Sequence, residues 1–141
     1  MGSEPPIIAI NVGDLEDGSP KDKRANISLT KEFVVNLVHR DIAYAMNVCA
    51  VDFPAGVSEL NEAGLTSLES RRIAEARVQI ECKLFEIVKI GENHIIIVEI
   101  VYLHIDDAYM DKERMRVRTP DMDPVGRMHG AGRYARTTNL F

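Results

Sequence analysis

Two segments of the sequence combine cationic side chains with a backbone that can bind an anion. In the first, residues 19–26 (SPKDKRAN), Ser19 and Pro20 are typical of a helix start, and three cationic residues follow within four positions. The first amides of a helix have no partner inside it and attract negative groups. We therefore expect Ser19 to cap a helix over residues 21–29 whose first turn offers a phosphate site.

The second segment, residues 126–136 (GRMHGAGRYAR), contains three glycines, three arginines and one tyrosine. Arginine binds phosphate through two nitrogens and stacks on planar rings, so this composition suits a phosphate or a flat ligand. The segment lies within residues 111–141, a polar stretch that we expect to wrap the protein body rather than form core. For both cationic segments, an ordinary solvated surface is the competing interpretation.

Other chemistries find little support in the spacing of the reactive residues. The four histidines share no close spacing of the kind used by metal sites, and the acidic pairs at 106–107 and 121–123 do not match a calcium loop. No serine occupies a nucleophile elbow, and neither Cys49 nor Cys82 has a histidine close to it in sequence that could act as its base. We therefore expect no metal site and no hydrolase activity.

Length and composition predict one globular domain over residues 1–141, because 45% of the 141 residues are hydrophobic and the length suits a single core. The 17 lysines and arginines are outnumbered by 22 acidic residues, which argues against a nucleic-acid binder. The longest apolar run, 95–105, is too short for a membrane helix, and the N-terminus lacks a signal-peptide pattern. Since no cysteine pair is evident either, we expect a cytoplasmic protein.

Apolar spacing predicts short strands and helices in the first half of the chain. Residues 7–12 and 32–38 are rich in β-branched residues and are expected to be strands. Asp41 is expected to cap a helix, because apolar residues recur at intervals of three and four after it. Ser58 is expected to cap a shorter helix that stops at Gly64.

The clearest alternation of polar and apolar residues begins at Arg77 and predicts a strand with one buried and one solvated side. Its phase slips at Leu84 and Phe85, as a β-bulge in a bending barrel strand would produce. After turn residues 91–93, residues 94–105 are predicted to form a strand that is apolar on both sides. Its outer side needs a helix or a partner subunit to cover it, so we expect an interface there.

Short stretches along nearly the whole chain follow an order that is familiar from one protein family. They are residues 5–13, 20–22 with 26–27, 32–38, 45–47, 52–59, 63–66, 81–84, 104–107, 123–127 and 134–137. Together they resemble the flavin-reductase-like proteins, which share an FMN-binding split β-barrel and are generally homodimers. The resemblance implies a mainly β fold, a split barrel with peripheral helices.

The resemblance also implies a function. FMN would supply the redox chemistry and would take a hydride from NADH or NADPH, so that no catalytic side chain is required. The implied phosphate-binding residues are Lys21, Asp22, Lys23 and Asn26. Arg127 and Tyr134 are implied as further contributors near the nucleotide or at a dimer seam.

The chain departs from the family pattern in two places. Family members usually begin with further strands and an Asn-rich loop before the double proline, so we expect a barrel that is incomplete at the N-terminus. At the phosphate loop, Lys23 stands where the family has threonine, and Ala25 stands where it has arginine. A hydroxyl and a bidentate cation are lost together, which leaves Lys23 and Arg24 to neutralise a phosphate as point charges.

Two other functions remain open at this stage. One is a cofactor-free, shortened split-barrel dimer with a structural or interaction role, joined through the outer face of the strand at 95–105. The other, which the acidic composition disfavours, is a phosphate-ligand or nucleic-acid binder that uses Lys21, Lys23, Arg24 and residues 127–136.

Overall fold

The computed structural model describes residues 4–15, 17–51, 53–54, 56–129 and 133–137. The chain divides into two compact units, Met1–Val35 with Ile80–Leu103 and Asn36–Gln79 with His104–Phe141. Within the described ranges, no helix is long and apolar enough to cross a bilayer. The expectation of a single domain over residues 1–141 stays a prediction.

The main sheet has four strands in the order β1-β4-β3-β2. They are β1 (Ile7–Gly13), β2 (Glu32–Asn36), β3 (Val78–Ile90) and β4 (Asn93–Ile105). β1 runs antiparallel to β4, and their register places Ile7 opposite Glu99 and Gly13 opposite Asn93. All four predicted strands are confirmed, although β2 ends two residues early.

The first unit buries its core between the sheet and one helix, α1 (Asp22–Thr30). Ile96 and Val98 of β4 are fully buried, and Ile27 brings α1 into the same cluster. Burying a side chain of this size contributes about 1.5–3 kcal/mol, so this cluster fixes α1 on the sheet. The phase slip in β3 is confirmed in part: Leu84 and Ile87 both pack against the core although three positions separate them, but Phe85, where the slip was expected, is 67% exposed and does not join the core.

The start of α1 differs from the expectation that Ser19 caps it. The N-cap is Lys21, which makes no side-chain capping bond. The hydroxyl of Ser19 instead donates to Asp17 Oδ1 at 2.5 Å, and its amide donates to the same oxygen at 2.9 Å. Because this local turn already uses the Ser19 side chain, the helix begins three residues later, at Asp22.

Among its described residues, the second unit contains two short α-helices, four 3-10 turns and two small hairpins. The helices are α2 (Ala43–Val48) and α3 (Glu59–Glu62), and the 3-10 turns are Arg40–Ile42, Glu69–Arg71, Asp107–Tyr109 and Thr119–Met122. The first hairpin pairs β5 (Met110–Asp111) with β6 (Arg116–Val117). The second pairs β7 (Val125–His129) with β8 (Arg133–Arg136).

Of the two caps predicted in this unit, one is confirmed and one is wrong. Ser58 accepts a hydrogen bond from the amide of Asn61 at 3.4 Å and caps α3, as expected. Asp41 does not cap α2, because a 3-10 turn comes first and His39 accepts from the Asp41 amide. The Asp41 carboxylate instead accepts from Arg77 at 2.6 Å.

The C-terminal segment at 111–141 consists mainly of these hairpins and the turn between them. Met122 is buried, and the amide of Val125 donates to the carbonyl of Val38 at 3.1 Å within the second unit. Residues 130–132 and 138–141 lie outside the described residues. The expectation that the segment wraps the protein body stays a prediction.

Candidate functional site

The end of β1 and the start of α1 line a cavity of about 290 Å³ in the first unit. Its walls are Ile10, Asn11, Val12 and Gly13 on one side and Lys21 and Lys23 on the other. This volume lies at the lower end of the range for small-molecule sites. The cavity therefore suits a small group, such as a phosphate with the atoms that adjoin it.

Positive charge is concentrated on the wall of the cavity that the start of α1 forms. Lys21 is extended (φ −60°, ψ 146°) and its carbonyl accepts the first helical bonds, from the amides of Arg24 at 2.8 Å and Ala25 at 3.1 Å. The amides before them point out of the helix start without a side-chain cap. Free amides, the helix dipole and two ammonium groups against one carboxylate, Asp22, favour an anion.

The structure brings two of the four predicted phosphate residues to this cavity. Lys21 and Lys23 line it, whereas Asp22 and Asn26 are exposed on α1 and are not among the lining residues. The Asn26 carbonyl accepts from the hydroxyl of Thr30 at 2.9 Å. The role of all four residues as phosphate ligands stays a prediction.

Arg24 does not face the cavity as an independent point charge. Its Nη2 forms an ion pair with Asp14 Oδ1, and its Nη1 lies 3.2 Å from His94 Nε2. The three side chains are largely buried, with exposures of 19% for Arg24, 11% for Asp14 and 5% for His94. The charge of Arg24 is therefore neutralised inside the protein, and the two lysines are left as the cations of the cavity.

Arg127 and Tyr134 come together in the second unit. They are register partners in the β7–β8 hairpin, and the Tyr134 hydroxyl lies 3.8 Å from the sulfur of Met46. Of the other predicted cations in the segment, Arg136 binds Asp123, and its hydrogen bond holds the pKa of Asp123 below the usual value. The side chain of His129 and residues 130–132 lie outside the description, and the ligand role of Arg127 and Tyr134 stays a prediction.

Two features of the site were not predicted from the sequence. Asn11 and Gly13 enter the cavity wall, for which the only local signal is that β1 ends at a run of turn residues. The cluster of Asp14, Arg24 and His94 has no local signal, because Arg24 and His94 are separated by 70 positions. Among the described residues, no group of three His, Cys, Asp or Glu is arranged to hold a metal ion.

The geometry defines a mainly β protein in which a helix start with two lysines and a strand end line one cavity. Residues 1–122 match the flavin reductase like domain family, to which this chain belongs. A relative from Deinococcus radiodurans, an uncharacterized protein, is 41% identical over the whole chain. The chain spans 65% of the length of that relative.

Solved structures support the same assignment. Component B of nitrilotriacetate monooxygenase from Bacillus cereus is 26% identical with a TM-score of 0.89, and the match covers all of this chain and 73% of that one. The 2-nitrobenzoate 2-nitroreductase of Pseudomonas fluorescens is 34% identical with a TM-score of 0.81, and the match covers all of this chain and 70% of that one.

The fold is that of the split-barrel flavin reductases. A split barrel domain protein of Shewanella frigidimarina has a TM-score of 0.82 and 20% identity, and the match covers all of this chain and 71% of that one. The mainly β, split-barrel fold and the family resemblance predicted from the sequence are both confirmed.

Proposed function

We propose that this chain binds FMN as part of a flavin-dependent reductase, with the phosphate at the cavity between β1 and α1. The observation that carries the proposal is the uncapped start of α1, where Lys21 and Lys23 line a cavity beside the end of β1. Membership of the flavin reductase like family supplies the ligand class, and the site fits the anionic end of that ligand.

Each part of the site has a task in this proposal. Lys21 and Lys23 neutralise the phosphate, and the free amides at the start of α1 donate hydrogen bonds to its oxygens. On the opposite wall, the side-chain amide of Asn11 donates one N–H to Asn93 Oδ1 at 3.2 Å and has a second N–H for the ligand. Asp22 and Asn26, which are exposed on α1, complete the proposed set of phosphate contacts in the first unit. For Arg127 and Tyr134, which belong to the second unit, we propose a flavin contact separately, on the family resemblance and not on their placement.

The chemistry itself belongs to the cofactor. When bound, FMN supplies the redox step by accepting a hydride from NADH or NADPH. The residues of this chain bind and orient the flavin, and the proposal assigns no acid or base to any side chain.

Titration of FMN and riboflavin tests the proposal. We expect the protein to quench FMN fluorescence with a saturable curve and to bind riboflavin at least tenfold more weakly, because riboflavin lacks the phosphate and one hydrogen bond to a charged group is worth about 1.5–3 kcal/mol. Equal affinity for the two flavins contradicts the placement of the phosphate, and an absence of quenching by either contradicts flavin binding.

A second candidate function follows from a different surface. Near the end of β4, three successive apolar side chains are exposed: Val101 and Leu103 on the outer face, at 52% and 51%, and Tyr102 between them, at 61%. Exposed apolar side chains that lie together are typical of a surface that a partner covers. We infer a homodimer through this face, and a cofactor-free dimer with a structural role is the alternative if flavin does not bind.

A further inference from the structure

Three largely buried polar side chains connect three different elements of the first unit. Asp14 follows β1, Arg24 lies in the first turns of α1, and His94 lies at the start of β4. Arg24 donates to Asp14 Oδ1 through Nη2 and to His94 Nε2 through Nη1, the latter at 3.2 Å. The guanidinium therefore joins the end of β1 to the start of β4 from the helix.

The bonding fixes the proton on the imidazole. A guanidinium only donates hydrogen bonds, so Nε2 of His94 must accept, and the neutral ring carries its proton on Nδ1. That nitrogen lies 3.6 Å from Asp14 Oδ1, which is too far for a hydrogen bond but close enough for attraction to the carboxylate. Each of the three side chains, Asp14, Arg24 and His94, therefore lies next to the other two.

Every member of the cluster is adjacent to a wall of the cavity. Asp14 directly follows Gly13, Arg24 directly follows Lys23, and His94 is the register partner of Val12. The cluster is therefore the polar connection between the strand wall and the helix wall. None of its three side chains belongs to the lining itself.

We propose that Asp14, Arg24 and His94 are positioning residues for the phosphate site, a role that rests on the proposed function. They hold the two walls at one separation, so that Lys21 and Lys23 direct their charge to the same anion as Asn11. An ion pair that is buried together with a further hydrogen-bond acceptor is suited to holding two elements in place. If one of the three side chains is removed, a charged group stays buried without a partner, which is costly.

A pair of substitutions at one position separates positioning from mere folding. In His94→Gln the side-chain carbonyl can still accept from Arg24, whereas in His94→Leu it cannot, and leucine is well tolerated in buried sites. We expect His94→Leu to weaken FMN binding roughly tenfold while riboflavin binding changes little, because a hydrogen bond to a charged group is worth that factor or more. His94→Gln should retain most of the wild-type preference for FMN.

Asp14→Asn provides a second, independent variant in case His94→Leu does not fold. It keeps the shape of the side chain but removes the charge that Arg24 neutralises, so the freed guanidinium should disturb the helix wall. Amide hydrogen exchange gives a readout without flavin, and we expect faster exchange at Val12, Gly13 and Ala25 in Asp14→Asn and His94→Leu than in His94→Gln.

The outcomes distinguish this inference from the proposed function. If the wild type binds FMN in preference to riboflavin and His94→Leu keeps that preference unchanged, the positioning role is wrong and the proposed function stands. The same conclusion follows if both cavity walls keep wild-type exchange rates in Asp14→Asn. If the wild type binds no FMN, the proposed function falls and the positioning role falls with it.

Discussion

Arg136 binds the carboxylate of Asp123 through two nitrogens, with Nε 2.8 Å from Oδ1 and Nη2 2.7 Å from Oδ2. This bidentate pair connects β8 to the end of the 3-10 turn at Thr119–Met122. The hydrogen bond from Arg136 is the main reason that the pKa of Asp123 lies below its ordinary value, and the nearby charges of Arg136, Arg40 and Arg77 act in the same direction.

A lowered carboxyl pKa in the folded state predicts a loss of stability in acid. The pair stabilises the fold fully at pH values above the ordinary Asp pKa of 3.8, and this contribution disappears as pH falls through the lower folded pKa. Asp123 has a positive φ of 45°, which asparagine tolerates well. We therefore expect Asp123→Asn to lower the thermal midpoint at pH 7, with a difference from wild type that shrinks towards about pH 3.

Scanning calorimetry of wild type and Asp123→Asn across that pH range measures this effect. Arg136→Gln removes the cation of the same ion pair and serves as the control. Its difference in thermal midpoint from wild type should also shrink towards acid pH. A difference in midpoint that is constant from neutral to acid pH would mean that the charge of Asp123 contributes nothing.

The core of the first unit gives a prediction for stability. Ile96 is fully buried in β4, whereas Ile90 at the end of β3 is 58% exposed. Replacing Ile96 with Ala should lower the free energy of unfolding by about 2–5 kcal/mol, because the change removes buried apolar volume and leaves a cavity. Ile90→Ala is the matched control and should change it by only about 0.5 kcal/mol. Similar losses in urea unfolding of the two variants would refute the assigned core.

Local patterns explain which parts of the fold were predictable. The strands β1, β3 and β4 have β-branched or alternating residues whose period follows from the strand itself, so their positions followed from the sequence. The helix caps did not follow from the sequence in the same way, because neighbouring polar residues compete for the capping side chains. Asp17 accepts a hydrogen bond from the hydroxyl of Ser19, and the Asp41 carboxylate binds Arg77 instead of a helix amide.

The site was predictable to the extent that its signal is local. Lys21 and Lys23 flank the first residue of α1 in sequence, and both line the cavity that the structure shows. The different role of Arg24 depends on His94, 70 positions away, and on Asp14 in the preceding turn. No spacing rule relates residues that meet only when a helix packs on a sheet, so a cation that neutralises a ligand and one that joins two elements look alike in sequence.

The exposed outer face of β4 predicts a change of oligomeric state on mutation. If a second copy covers Val101, the substitution Val101→Asp buries a charge without a partner and should dissociate or insolubilise the protein. Val51 is the matched control, since it is also a valine and is 55% exposed compared with 52% for Val101. Sedimentation velocity should show a wild-type dimer, a dimer for Val51→Asp and a monomer or aggregate for Val101→Asp. A monomeric wild type would refute the interface.

Removal of both cavity lysines tests the electrostatic origin of flavin binding. Lys21→Ala with Lys23→Ala should weaken FMN binding by tenfold or more and flatten its dependence on salt, because the two charges that attract the phosphate are gone. Lys83→Ala with Lys89→Ala removes the same net charge from exposed positions on β3 that do not line the cavity. Fluorescence titrations at low and moderate ionic strength compare the two double variants. If both variants weaken FMN binding equally, only the overall charge of the protein matters, and the phosphate does not lie between β1 and α1.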